Sequence, residues 1–415
     1  MQSLRKNHVD SLVFSPRLGG RGFTITELLV VIVIFVLMIG MAIPAFKSMI
    51  DSSEKSLAEN QLRVGLASAR DTAIQYPSGD AAAVFFFTPG GKISIVPCVS
   101  VGFLMDEVRN NGDVVTDPST GQPKMDRREV FVPVATGATI QMPRGWSVRG
   151  YTPANTISSS DPSNTGQIQG WYDSLSGGAT PPASDPASQG YWVFPETGFY
   201  NTSGSAATVG TTGWQRQTFM VRFKSGTGSL DTGNRSLALV VDPVAALNFR
   251  TIAPWDAEKY RLDQAPNLAS AVRRILAATG LNAAQQAERR KVLGDQAIDT
   301  VLARPVTELA IYNERSLAAA LATNFSARGL NRDTGTIYKN PSPAAPTPPP
   351  QFGPELDDVL FPNGQNFETV TGAIGAWIEG NMRGGSPANF IESDARIYTL
   401  QQYLGQMIEL TEAAQ

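Results

Sequence analysis

The chain has 415 residues, with 34 Lys and Arg against 37 Asp and Glu, a formal net charge of −3 and 17% charged residues. That balance excludes binding of nucleic acid by bulk positive charge. A single cysteine, Cys98, excludes an intramolecular disulfide, and a single histidine, His8 in the basic N-terminal segment, excludes a His-based metal site or a Ser/His/Asp triad in the body.

Residues 1–22 carry Arg5, Lys6, Arg17 and Arg21 and precede an apolar run from Leu28 to Ile43, broken only by Gly40. With Phe23, Ile25 and Phe46 the run approaches the ~20 residues that span a bilayer as a helix. The basic flank is expected to stay in the cytoplasm while the rest crosses. A secretory signal peptide needs a small-x-small cleavage site after the apolar core, and Ala42, Pro44 and Ala45 make a poor one. A plain signal anchor fits the hydropathy but leaves Glu27 unexplained. A carboxylate in the apolar zone costs on the order of 2.5–3.5 kcal/mol on insertion scales, so it is read as functional and needs a partner.

The run Gly22-Phe23-Thr24-Ile25-Thr26-Glu27-Leu28-Leu29-Val30 resembles the cleavage and methylation signal of type IV prepilins and type II secretion pseudopilins. The resemblance implies that a membrane prepilin peptidase/N-methyltransferase cuts after Gly22 on the cytoplasmic side and methylates the new N-terminal Phe23. It further implies that Glu27 pairs with the N-terminal amine of a neighbouring subunit during filament assembly and sets its register, and that Pro44 is the helix-bending proline. The implied partners are that peptidase, other pseudopilins or pilins through the N-terminal helix, and an inner-membrane assembly platform. The implied location is the inner membrane, single-pass, with a cytoplasmic N-terminus and a periplasmic or otherwise extracytoplasmic body, and later a pilus-like filament. Charge balance argues the same way: a new ammonium at Phe23 needs a counter-charge, and Glu27, about one helical turn away, is the only acid nearby.

Beyond Pro44, Leu57, Val64, Leu66, Ala69, Ala73 and Ile74 recur at three-to-four spacing between charged residues, the pattern of an amphipathic helix that Pro77 and Gly79 stop. From residue 81 the period changes. Ala82–Thr88 and Lys92–Val99 flank Pro89-Gly90-Gly91 as a hairpin, and strand-like runs follow at Glu129–Val134, Trp146–Val148, Tyr191–Phe194, Thr218–Lys224 and Ser236–Val241. The run NQLRVGLASARDTAIQYP, followed at once by a strand, resembles the H-type minor pseudopilins and their FimT-like pilus counterparts. The expected architecture is α+β: a long N-terminal helix, half membrane and half amphipathic, packed on a small antiparallel sheet in a pilin-like roll. A leader over 1–22, an assembly helix over 23–50 and a pilin-like domain over 51–245 follow, the domain carrying a Ser/Asn/Gly/Pro-rich loop insert at about 150–190. Asp231-Thr232-Gly233-Asn234 and Asp161-Pro162-Ser163-Asn164 carry oxygen ligands but lack the spacing of a calcium loop, and turn chemistry accounts for both.

Residues 246–415 are expected to form a mostly helical extension. Helices are read at Asn267–Thr279, ended by Gly280, and at Asn282–Leu293, with Asp295–Ala303 and Glu314–Ala322 in the same vein. A proline-rich linker spans 340–354, and a last helix runs from Ser393 to Glu412. No catalytic constellation, cofactor motif or metal set is found, so the chain is read as a structural subunit and not an enzyme. The leading expectation is a minor pseudopilin or pilin-like subunit of a type II secretion-type pseudopilus, with no nucleic acid bound. The alternative is a ligand-binding minor pilin, for adhesion or DNA uptake, that uses its C-terminal extension. A membrane-tethered hydrolase would need a carboxylate pair or a Ser/Lys centre, and no spacing signals one.

Overall fold

In the computed structural model, helix α1 runs from Ile25 to Gln75, 51 residues, with Pro44 inside it. The described residues are 24–87, 90–107, 109–110, 113–114, 116–123, 125–134, 137–152, 191–195, 217–233, 237–241, 268–282, 285, 289, 300–325, 329–339, 356–357, 359–361, 367–380, 393–403 and 405–410. The chain divides into two compact units, Met1–Glu54 and Lys55–Gln415. In the first, the large apolar side chains from Leu28 to Ile50 are exposed. This is the one helix among the described residues long and apolar enough to cross a membrane, and a helix of this kind near the N-terminus serves as a membrane span or a signal sequence.

Within the second unit the remainder of α1 buries one stripe, Ala58, Leu62, Leu66, Ala69 and Ala73, spaced three and four apart as the helical period requires. The stripe is mostly alanine, which lets the helix approach closely. A Cβ at Gly65 would lie 2.7 Å from Ile95 Cγ2.

The chain continues through β1 (Ala81–Phe87), β2 (Ile93–Glu107), β3 (Arg109–Asn110), β4 (Asp113–Val114), β5 (Met125–Pro133), β6 (Ile140–Gln141) and β7 (Trp146–Thr152). Then come β8 (Tyr191–Trp192), β9 (Gln217–Phe223), β10 (Ala238–Val241), α2 (Leu268–Leu276), β11 (Thr300–Pro305) and β12 (Glu308–Asn313). Helices α3 (Glu314–Phe325) and α4 (Phe367–Glu379) and strands β13 (Arg396–Leu400) and β14 (Met407–Glu409) complete it.

The expected small antiparallel roll is not what forms. The sheet order β1-β9-β11-β10-β5-β2 closes on itself because β1 also pairs with β2, giving a six-stranded barrel, with β6 added outside on β2. Pairing is mixed: β10 runs parallel to β5 and β11 parallel to β9, while the other barrel pairs are antiparallel. Closure buries both faces of the strands. Ala82, Val84, Phe86, Cys98, Phe131, Met220, Ala238, Val240, Val301 and Ala303 form one cluster. Their alternate neighbours, such as Ala83, Phe85, Val221, Leu239 and Leu302, join the larger core with α1 and α2. A small barrel is filled by its own side chains, which accounts for the many Ala and Val on the inner set.

The mostly helical extension is likewise corrected. Thr300–Ala303, read as helix, is strand β11 of the barrel. The expected helix from Ser393 to Glu412 is instead the antiparallel hairpin β13–β14. Both are short apolar runs whose length and β-branched residues suit a strand, and periodicity alone does not separate buried strand from buried helix. The reading of Glu314–Ala322 as helix agrees with α3, and that of Asn267–Thr279 contains α2, with Gly280 beyond it at φ 70°. At Asn282 the side chain accepts the Gln285 N–H at 2.9 Å and the Asn282 N–H donates to Gln285 Oε1 at 3.0 Å, a reciprocal cap. Apart from Arg289, the rest of that expected helix lies outside the described residues, as do the insert from 153 to 190 and residues 340–354.

A second sheet, β14-β13-β12-β7-β8, is antiparallel throughout. Strand alternation splits its side chains between two clusters: Leu309 and Ile311 belong to the main core, Ala310 and Tyr312 to a second one shared with α3 and α4. In that second layer buried Arg149 donates to the hydroxyls of Tyr312 at 3.1 Å and Tyr338 at 2.6 Å and lies 5.0 Å from the Phe87 ring centre.

Arg222, 1% exposed, sits in phase with Met220 on β9. Its Nη2 donates to Glu129 Oε2 and lies 3.5 Å from Asp80 Oδ2, its Nε is 3.8 Å from Asp231 Oδ2, and its guanidinium is 5.2 Å from the Phe131 ring centre. Ser100 Oγ donates to the second Glu129 oxygen at 2.6 Å. Removing one partner of such a pair leaves a buried charge uncompensated. Arg222→Met is therefore expected to lower the stability of the second unit, Lys55–Gln415 and hereafter the head, by about 3–5 kcal/mol, and Arg222→Met together with Glu129→Met to recover most of that loss. Urea unfolding of the detergent-solubilised full chain checks both.

Candidate functional site

Of the residues singled out by sequence, Glu27 lies in the first turn of α1. Thr24 is the residue before the first helical one, and its carbonyl accepts the first helical hydrogen bond, from Leu28 N–H at 3.1 Å. The Thr24 N–H and Thr24 Oγ1 both donate to Glu27 Oε2 at 2.9 Å, and the Glu27 N–H donates to Thr24 Oγ1 at 3.2 Å. This is a capping box: two N–H groups without helical partners are satisfied reciprocally, and the carboxylate sits at the positive end of the helix dipole. Glu27 is thus held within its own chain, on an exposed turn, with one carboxylate oxygen engaged.

Gly22 and Phe23 lie outside the described residues, so their geometry relative to Glu27 is not part of the site. Pro44 is inside α1 and exposed. What the reading of Glu27 for assembly misses is Thr24. Its signal was present in the Thr-x-x-Glu spacing ahead of an apolar run.

Of the two oxygen-rich turns, Asp231 is occupied by the chain's own groups. It accepts the Gly233 N–H at 3.3 Å and faces Arg222 and, at 3.9 Å, Lys224 Nζ. Turn and ion-pair chemistry account for it, while Asn234 and 161–164 lie outside the described residues. Among the described residues no group of three or more His, Cys, Asp or Glu is placed to hold a metal ion.

With this geometry in hand, comparison with known proteins adds no relative: no family model, no curated protein and no solved structure matches the chain.

Loss of an N-cap side chain costs about 1 kcal/mol. Thr24→Ala is accordingly expected to fray the first turn of α1 and speed amide exchange over residues 25–28 in detergent micelles, with exchange in β1 and β10 unchanged.

Proposed function

We propose that the chain is a membrane-inserted structural subunit of a pilus-like filament, a minor pseudopilin or pilin of a type II secretion-type machine, with no chemistry of its own. The observation that carries the reading is the run from Gly22 to Val30 at the head of a 51-residue helix whose large apolar side chains from Leu28 to Ile50 are exposed. At 1.5 Å per residue that stretch is about 35 Å long, enough for a ~30 Å hydrocarbon core. The basic leader stays in the cytoplasm and the folded body lies on the far side of the inner membrane.

In this reading the peptidase cuts after Gly22 and methylates Phe23. The new amine and the Glu27 carboxylate then stand about one turn apart. The capping box defines what assembly competes with: a neighbour's amine takes the carboxylate from Thr24, or shares it. The barrel body departs from a pilin-like roll, so the proposal rests on the N-terminal segment alone.

Co-expression with a prepilin peptidase, followed by mass spectrometry, is expected to yield a mature chain that starts at methylated Phe23, and Gly22→Ala is expected to abolish that cleavage. A different N-terminus, or processing indifferent to Gly22→Ala, overturns the proposal. Glu27→Ala is expected to leave cleavage and insertion intact and to lower incorporation into filaments by about tenfold or more, the scale set by leaving one buried charge unpaired. Incorporation at the wild-type level would refute the assembly role of Glu27.

A further inference from the structure

The hairpin β13–β14 and the second half of α1 contribute to the same core. At the base of the hairpin, burial and the like charge of Arg396 lower the Lys55 pKa against the opposing pull of Glu59, Glu409 and Asp394, and the Glu59 charge also acts on the Tyr398 phenol. Ser316 Oγ of α3 donates to Asp394 Oδ2 at 2.6 Å and fixes the entry to the hairpin, while Arg396 pairs with Glu409 at 3.0 Å across its two strands. Burial pushes the Asp394 carboxyl above its usual range and, with the Glu59 charge, does the same to the Tyr398 hydroxyl. At the tip, the Gln402 carbonyl accepts the Leu230 N–H at 2.7 Å. Gly405, at φ 61°, passes so close that a Cβ there would meet Phe223 Cε1 at 2.9 Å and Arg70 Cδ at 3.8 Å. Between base and tip, Ala58, Leu62, Leu66 and Ala69 of α1 share one core with Tyr398, Leu400 and Met407.

The other end of the helix is tied differently. The Gly226 N–H donates to the Ala73 carbonyl at 2.9 Å and Ser225 Oγ to the Tyr76 carbonyl at 3.1 Å, and Ser225 N–H in turn donates to Asp80 Oδ1 at 3.0 Å. These bonds hold the C-terminal turn of α1 to the barrel independently of the hairpin.

We infer that the C-terminal hairpin is a clamp that determines whether residues 55–69 of α1 lie on the head, while residues 73–76 stay pinned to the barrel. Opening the clamp peels the helix from its Lys55 end and leaves the barrel closed. The joint is a local opening of the kind that exchanges below the free energy of global unfolding.

Thiol labelling of the full chain in micelles tests it, with native Cys98, buried inside the barrel, as the internal control. Reporters are Ala58→Cys, under the clamp, and Ala73→Cys, at the pinned end; both alanines are fully buried. Adding Arg396→Glu, which replaces the Arg396–Glu409 pair across the hairpin with two facing acids, or Gly405→Val, which strains the tip, is expected to speed maleimide labelling at position 58 about tenfold. Labelling at position 73 and at Cys98 is expected to stay at the starting rate. Should Gly405→Val prevent folding, Arg396→Glu, at a side chain 40% exposed, still decides. Unchanged labelling at position 58, or labelling at Cys98 that rises in parallel, overturns the clamp.

Discussion

Strand β1 hydrogen-bonds on both sides, to β2 and to β9, and the rest of the head follows from that double pairing. It turns an open sheet into a closed one, which removes the edges β1 would otherwise expose. Every residue of β1 is then buried. A strand in this position cannot show the polar–apolar alternation of a half-solvated sheet, and Ala-Ala-Ala-Val-Phe-Phe-Phe does not. The same closure sets residue size. The inner row Ala82, Val84, Phe86 faces the small residues Ala238, Val240, Val301 and Ala303, and the bulk left over is filled by Phe131 and Met220. Arg222 and Glu129 continue the inner rows of β9 and β5, where a fully buried charge stays only because its counter-charge is beside it. Asp80, the residue before β1, joins that pair and also accepts the Ser225 N–H, so α1, the barrel seam and the β9–β10 turn meet at one point.

The sequence carried the elements of this barrel more clearly than their pairing. All seven strand-like runs read between residues 81 and 245 overlap observed strands, four of them with ends displaced from the strand's, because apolar β-branched and aromatic runs bounded by turn residues are local signals. Pairing of β5 with β10, or β9 with β11, joins segments far apart in the chain, and nothing in the period of either strand names its partner. The C-terminal misreadings have a second cause. Thr300–Pro305 and Arg396–Leu400 are five or six residues long, with Ala, Leu and Arg neighbours that suggest helix, and only their places in sheets make them strands. Arg222 was illegible for the opposite reason: in Phe-Met-Val-Arg-Phe-Lys a charged residue reads as the solvent side, and only closure puts that side inside.

The candidate site divides the same way. Glu27 stands out because a carboxylate at the mouth of an apolar run demands an explanation, and its spacing from Gly22 and Phe23 is visible in the sequence alone. The partner it has within the chain, Thr24, became evident from hydrogen-bond geometry. That geometry also bears on the assembly role proposed for the carboxylate. A capping interaction on an exposed turn is worth about 1 kcal/mol, small enough for a second cation to displace or supplement it.

Alpha-helical continuity hides a difference in what stabilises each half of α1. From Ala58 to Ala73 the helix contributes a narrow stripe of mostly small side chains to a shared core, so its place depends on fit and on the polar ties at its end. From Leu28 to Ile50 more than a dozen large apolar side chains are exposed. At roughly 1.5–3 kcal/mol for each such side chain fully buried, covering them is worth tens of kcal/mol, against about 5–15 kcal/mol for a whole folded domain. Whatever apolar surroundings cover that segment therefore outweigh anything the rest of the chain can contribute to where it resides.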